Sequence, residues 1–275
     1  MAIELVTKYL PYVDEIFTTE SKKSLLTNQD FNWIGAHAVK VYKISTAAMN
    51  DYSRNAGTSR YGTPKDLDAT TEELTLKKDR SFTFVVDKLD KDETNDQLAA
   101  ASALARQTRE VVVPEVDKYT YGVMIENAGT KPEAVALTAE NIYSEIIKAN
   151  NALDNAEVPE TGRQFVVTPD VYILMKKSKD IIMETDISAE MRLRGVVGMV
   201  DGAQVIKVPK TRLPENFGFM LAHPVATCAP TKLEDYKIHQ DPPGISGSLV
   251  EGRIVYDAFV LDNKKNAIYY QAQTV

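Results

Sequence analysis

Apolar and polar positions change period several times along this chain, and those changes divide it into dissimilar segments. In residues 1–35, Leu5, Tyr9, Val13, Ile16 and Phe17 recur at spacings of three or four before a polar stretch, TTESKKSLLTNQD, leads to Phe31 and Trp33. This pattern predicts part of an amphipathic helix interrupted by Pro11, in an N-terminal segment that is either mobile or docks on another surface. Residues 38–46, AVKVYKIST, and 72–87, EELTLKKDRSFTFVVD, read as strands, the second with Phe82, Phe84 and Val86 alternating against Ser81, Thr83 and Val85. Between them lie about 25 residues, AAMNDYSRNAGTSRYGTPKDLDATT, with neither helical nor strand periodicity. Loops of that length are uncommon inside compact domains and serve as lids, binding loops or segments ordered by a partner.

A helical period then takes over. Asp96 is placed to cap a helix running from Gln97 to about Met124, with Leu98, Ala101, Ala105, Thr108, Val112 and Tyr119 as a narrow apolar stripe. Such a helix spans about 40 Å, and Pro114 should kink it because the ring clashes with the carbonyl of Glu110. It is a poor core element and a good spine for an elongated molecule that packs on copies of itself. From Gly129 the pattern becomes an α/β alternation: Thr138 caps a helix to about Leu153, Arg163–Val167 is a strand, and Thr168-Pro169-Asp170 starts the next helix. A short helix over Ser188–Arg194, closed by Gly195, precedes strands at Gln204–Val208 and Phe217–Leu221. Strands at Tyr236–Gln240, Leu249–Leu261 and Ala267–Gln271 end the chain, the last two joined by a turn over 262–266. A strand of about 13 residues is long for a compact domain and again points to an extended sheet.

Composition adds exclusions. The 275 residues are 44% hydrophobic and 26% charged, which rules out intrinsic disorder, and a net charge of -7 leaves no basic footprint for nucleic acid recognition. No run of eighteen apolar residues and no basic-then-apolar leader occurs, and a single cysteine, Cys228, fits a reducing compartment. Catalytic patterns are equally sparse. His37, His223 and His239 lie far apart, and His223 with Cys228 does not make a zinc site. Gly57 and Gly62 are followed by Thr63-Pro64 where a phosphate loop needs Lys and a hydroxyl. In the acidic stretch DKLDKDETND, a calcium loop starting at Asp90 would need Gly at Asn95 and Glu at Ala101, so a solvated turn is expected instead. No cofactor, metal or catalytic residue is expected.

The R-x-F-x-F-x-V-D run at 80–87, just ahead of the spine, and the V-V-T-P-D-V-Y block at 166–172 are the most recognisable motifs. Taken in order with the other segments, they resemble the major capsid protein of tailed bacteriophages, the Hong Kong 97-type fold. The resemblance implies an α+β chain with an N-terminal arm (1–35), an extended β-hairpin loop (36–85), a peripheral domain with the long spine helix (86–130 and 225–275) and an α/β axial domain (131–224). It implies a structural protein that self-assembles into pentamers and hexamers of an icosahedral phage head enclosing double-stranded DNA. Its partners would be copies of itself, a scaffolding protein, the portal and head-completion proteins, and packaged DNA held without sequence-specific binding; no membrane is involved. The expected location is the virion, and the host cytoplasm during assembly. Arm and loop would lap over neighbours, which makes Tyr52, Arg54, Arg60 and Tyr61 the candidate intersubunit contacts, since Tyr and Arg dominate interface energetics.

Some relatives carry a scaffolding segment at the N-terminus; with about 35 residues ahead of the loop, and a start at Met1, the scaffold is expected to be a separate protein. Others weld subunits through a lysine–asparagine isopeptide bond, but Lys65 near the loop tip has no partner identifiable from sequence, and no such bond is expected. Two other functions compete. An encapsulin-like cellular shell of the same fold would enclose a cargo enzyme in place of a genome. A soluble α/β enzyme would use the long loop as a lid and an acid such as Asp201 or Asp257 for catalysis.

Overall fold

The computed structural model describes residues 20–28, 38–55, 57, 59–93, 99–179, 181 and 196–274. The chain forms two compact units, one comprising Trp33–Lys77 and the other the residues on either side of it. In the smaller unit, β1 (Ala38–Ile44) and β2 (Ala69–Thr75) pair antiparallel, with Ala38 opposite Thr75 and Ile44 opposite Ala69. Lys40 faces Glu73 at 3.7 Å and Lys43 reaches Glu72 at 3.0 Å across this ribbon.

The larger unit begins with β3 (Lys78–Asp87) and α1 (Lys88–Glu93). The alternating run expected over 72–87 is thus two strands, parted at Leu76 and Lys77, because β2 takes β1 as its partner while β3 joins another sheet. The spine follows as α2 (Ala100–Gln107), a π turn (Thr108–Val112) and α3 (Val113–Glu126), with helical backbone through both junctions. The cap expected at Asp96 lies outside the described residues. Pro114 enters α3 in its first turn, directly after the wide π turn, where the helical hydrogen-bond register is already changing and a missing N–H is tolerated. Next come α4 (Ile142–Asn155), β4 (Gln164–Val167) and α5 (Pro169–Lys177). Thr138 caps the turn that leads into α4, its carbonyl accepting from the Ile142 N–H at 3.1 Å and its hydroxyl from the Asn141 N–H at 3.3 Å. Its own N–H donates to Asn141 Oδ1 at 2.8 Å, and the helix starts one residue after that turn. Thr168 caps α5, its hydroxyl accepting from the Val171 N–H at 3.3 Å.

Five strands, β5 (Val196–Val200), β6 (Ala203–Lys207), β7 (Phe217–Ala222), β8 (Thr227–Cys228) and β9 (Thr231–Gln240), lead to β10 (Gly247–Tyr256), β11 (Phe259–Val260) and β12 (Ile268–Ala272). The helix expected over 188–194 lies outside the described residues. The single strand expected over 249–261 is interrupted at Asp257, whose carboxylate accepts from its neighbour Ala258 N–H at 2.8 Å and from the Tyr119 hydroxyl at 2.7 Å. Those bonds turn the backbone out of the ladder, so β10 stays in one sheet and β11 pairs with β8. The last two strands do not pair with each other either: a 3-10 helix, Asp262–Ala267, carries the chain over to β12, which pairs with β7.

The central sheet has the order β12-β7-β4-β6-β5, with β4 and β6 parallel and the other pairs antiparallel. One face presents Val166, Ile206, Met220 and Ile268 to Tyr121 and Met124 of α3 and to Leu26. Its other face presents Phe165, Val167, Val205, Phe219 and Leu221 to Ile142, Ile146 and Leu153 of α4 and Val171 and Met175 of α5. A sheet covered on both sides needs apolar residues at successive positions, which is why β4 reads QFVV and β7 reads FGFMLA without alternation. A second sheet, β3-β10-β9, packs Ile254, Tyr256 and Phe82 against Val112, Val116 and Tyr119 of the spine. Gly252 is required there, since a Cβ at that position would fall 2.3 Å from the Phe82 ring.

Candidate functional site

The described residues of the aperiodic stretch between β1 and β2 place no buried side chain in a core. Its base is closed by two bonds, Ser45 N–H to the Asp68 carbonyl and Asp68 N–H to Ser45 Oγ, both 2.9 Å. Near its tip the loop folds back on itself: the Ser53 N–H donates to the Arg60 carbonyl at 3.0 Å and the Gly62 N–H to the Ser59 carbonyl at 3.1 Å. Gly62 has φ of 84° and lies so close to Asn50 that a Cβ would meet its side chain at 2.8 Å, so the fold-back depends on glycine at that position. This geometry brings two of the expected contact residues together. The rings of Tyr52 and Tyr61 meet edge-to-face, 5.0 Å between centroids. Arg54 lies in the turn between them, and Arg60 anchors the fold-back through its carbonyl.

Four apolar side chains that sequence reasoning passed over belong with this group. Met49 is 99% exposed, and Tyr42, Ile44 and Leu67 are exposed at the strand ends beside it; Tyr61 is 84% exposed and Tyr52 50%. No described residue from Lys40 to Glu73 is fully buried. A signal existed: Met49 stands in a stretch with no apolar period, so no secondary structure could bury it. The arrangement suits a contact surface of rigid aromatic and flexible thioether groups, framed by arginine.

Groups with chemical potential in the larger unit are committed elsewhere. His223 Nδ1 accepts from the Val225 N–H at 3.2 Å, and Nε2 donates to the Thr161 carbonyl at 3.1 Å. Burial, followed by the charges of Arg163 and Lys264, pulls its pKa below the ordinary histidine value despite the Thr161 bond. His239 pairs with Glu251 at 3.2 Å on the second sheet, Cys228 is buried in β8, and His37 lies outside the described residues. Asp201 turns the β5–β6 hairpin and accepts from Asn150 Nδ2 at 2.8 Å, while Asp257 is buried against Tyr119. Among the described residues no group of three or more His, Cys, Asp or Glu could hold a metal, and no helix is long and apolar enough to cross a membrane.

No family model and no curated protein matches the chain. Solved structures match along its full length. The capsid structure of the cyanophage P-SCSP1u superposes with a TM-score of 0.76 at 13% identity, covering 98% of this chain and 93% of that one. A chain of Mycobacterium phage Che8 gives 0.75 at 19%, covering 98% and 96%. A virus-like particle from Pyrococcus furiosus gives 0.53 at 13%, covering 86% and 87%. The chain therefore has the fold of phage capsid proteins, an α+β architecture, as the sequence resemblance implies.

Proposed function

We propose that this chain is the major capsid protein of a tailed phage, a structural protein that assembles into the pentamers and hexamers of an icosahedral head around double-stranded DNA. The observation that carries this reading is the full-length match to a phage capsid, loop unit included. A loop with Met49, Tyr52 and Tyr61 turned to solvent supports it, because a surface of that kind gains partners when copies pack together. Tyr52, Arg54, Arg60 and Tyr61 are assigned as intersubunit contacts, joined by Met49. The arm, loop, peripheral and axial roles follow the boundaries given above, with two refinements: pairing of β3 with β10 supports ending the loop near Lys77, and pairing of β12 with β7 supports counting 268–272 with the axial part. A scaffolding protein, a portal, head-completion proteins and DNA held without sequence preference are the proposed partners, with assembly in the host cytoplasm and final residence in the virion.

Electron microscopy of the purified protein, alone and with the scaffold expressed beside it, tests the proposal. Capsomers, shells or tubes are expected; a monodisperse monomer under every condition would overturn it. A cellular shell is the second reading, motivated by the weaker match to the Pyrococcus furiosus particle. Particles that retain one co-purifying enzyme and no DNA would favour it. The lid-enzyme reading loses support because Asp201 and Asp257 each hold structural hydrogen bonds; a metabolite retained in native mass spectrometry would revive it.

A further inference from the structure

We infer that residues 20–28 are a clip seated on their own subunit before any assembly takes place, with the Asp117–Arg212 pair as its receptor. Asp117 projects from α3 into a buried site, its side chain 1% exposed, and an unpaired carboxylate there would be strongly unfavourable. Arg212 Nη1 satisfies one oxygen at 2.7 Å, and the other accepts from the Ser21 hydroxyl at 2.6 Å. The same guanidinium nitrogen donates to the Glu20 carbonyl at 3.3 Å, so one ion pair holds the clip by side chain and backbone together. Lys22 Nζ donates to the Lys207 carbonyl at 3.0 Å, tying the clip to the end of β6.

Two further points fix its other end. Leu26 is fully buried in the cluster that contains Tyr121 and Met124 of α3, so the clip fills part of the core. Asn28 donates its N–H to the Thr227 carbonyl at 2.8 Å and its amide nitrogen to the Val225 carbonyl at 3.1 Å, forming a parallel bridge beside Cys228. Lys22 and Lys23 are half-buried in the clip, and that burial pulls both ammonium groups below the ordinary lysine value. Resting on the capsid reading, the arm contacts proposed for residues 1–35 are confined to residues outside the clip.

Hydrogen exchange on the full-length, unassembled chain tests this. Amides of Leu25, Leu26 and Asn28, each bonded to a carbonyl, should exchange at least about a hundredfold more slowly than in a free peptide of the same sequence. Ser21→Ala with Leu26→Ala should speed exchange across 20–28 by at least about tenfold, and open trypsin cleavage after Lys22 and Lys23, while β7 amides keep their protection. Asp117→Asn should act in the same direction from the receptor side; because it could perturb α3 itself, the clip-side variant decides. Peptide-like exchange of 20–28 in the wild type, or equal loss of protection in 20–28 and β7 in the clip variant, would overturn the inference. Since the measurement needs no particle, a failure to form shells would count against the capsid reading and leave the clip standing.

Discussion

The loop unit and the central sheet treat apolar residues in opposite ways. In the sheet, Phe165, Phe219, Met220 and Leu221 are enclosed between α3 on one side and α4 with α5 on the other. In the loop, Met49, Tyr52, Tyr61 and Leu67 stand in solvent on a backbone pinned by a few bonds. Both regions contribute to a composition that looks like one ordinary globule. The difference teaches that the sheet stabilises the subunit, whereas the described part of the loop's own ribbon leaves its apolar surface exposed. Substitutions should therefore separate the two roles cleanly.

The largest expected effect lies in the sheet. Phe219→Ala removes a ring buried against Phe165 and Tyr269 and should cost about 3–5 kcal/mol, read as a drop in the midpoint of urea unfolding. A smaller loss on that measurement would mean that the double coverage of the sheet is looser than its burial implies. Arg163→Ala comes next. Its guanidinium sits at the end of α4, bonded to Asp154 at 2.6 Å, Asn150 at 3.3 Å and the carbonyls of Val158 and Pro159 at 2.7 and 3.0 Å. Because Asp154 is half exposed and can rehydrate, the cost should be about 2–3 kcal/mol, below that of a fully enclosed pair.

Tyr61→Ala breaks the comparison from the other side. It should shift subunit unfolding by no more than about 0.5 kcal/mol, since nothing buries that ring, yet raise the protein concentration needed for assembly by about tenfold or more. Light scattering during assembly, set beside the urea curve of the same variant, measures both. A subunit that unfolds early without an assembly defect would reverse the assignment of the loop.

Much of this division was legible in the chain. The Thr168-Pro169-Asp170 start, the unalternating runs of β4 and β7, and the long helical period all describe local physics that the fold keeps. Where local pattern failed, a tertiary partner decided. The alternation over 72–87 was real, but which sheet each half joins depends on β1 and β10, far away in sequence. Asp257 ends a strand because Tyr119, more than a hundred residues earlier, holds its carboxylate. At the candidate site, Tyr52 and Tyr61 could be picked out by residue type, but their edge-to-face contact required the fold-back at Gly62, and Met49 required knowing that no surface of the ribbon covers it.

The smallest effect concerns His223, which ties the start of a short 3-10 turn to the loop before β4. Its Nδ1 is an acceptor for the Val225 N–H, a role open to the neutral ring alone, so protonation must break that bond. Burial and the cations Arg163 and Lys264 act in the same sense, holding the folded-state pKa below that of the unfolded chain. The unfolded state then binds the proton first, and stability contributed by the neutral ring is complete above the ordinary histidine value of about 6.5 and is lost as the pH falls from there through the lower folded-state value. Wild type should therefore unfold at lower urea at pH 5.5 than at pH 7.5 by more than His223→Gln does. The glutamine, which can still accept from Val225, removes this titration and no other. Parallel pH dependence in the two proteins would show that the ring charges freely in the fold, and that the turn it caps moves independently of the sheet it adjoins.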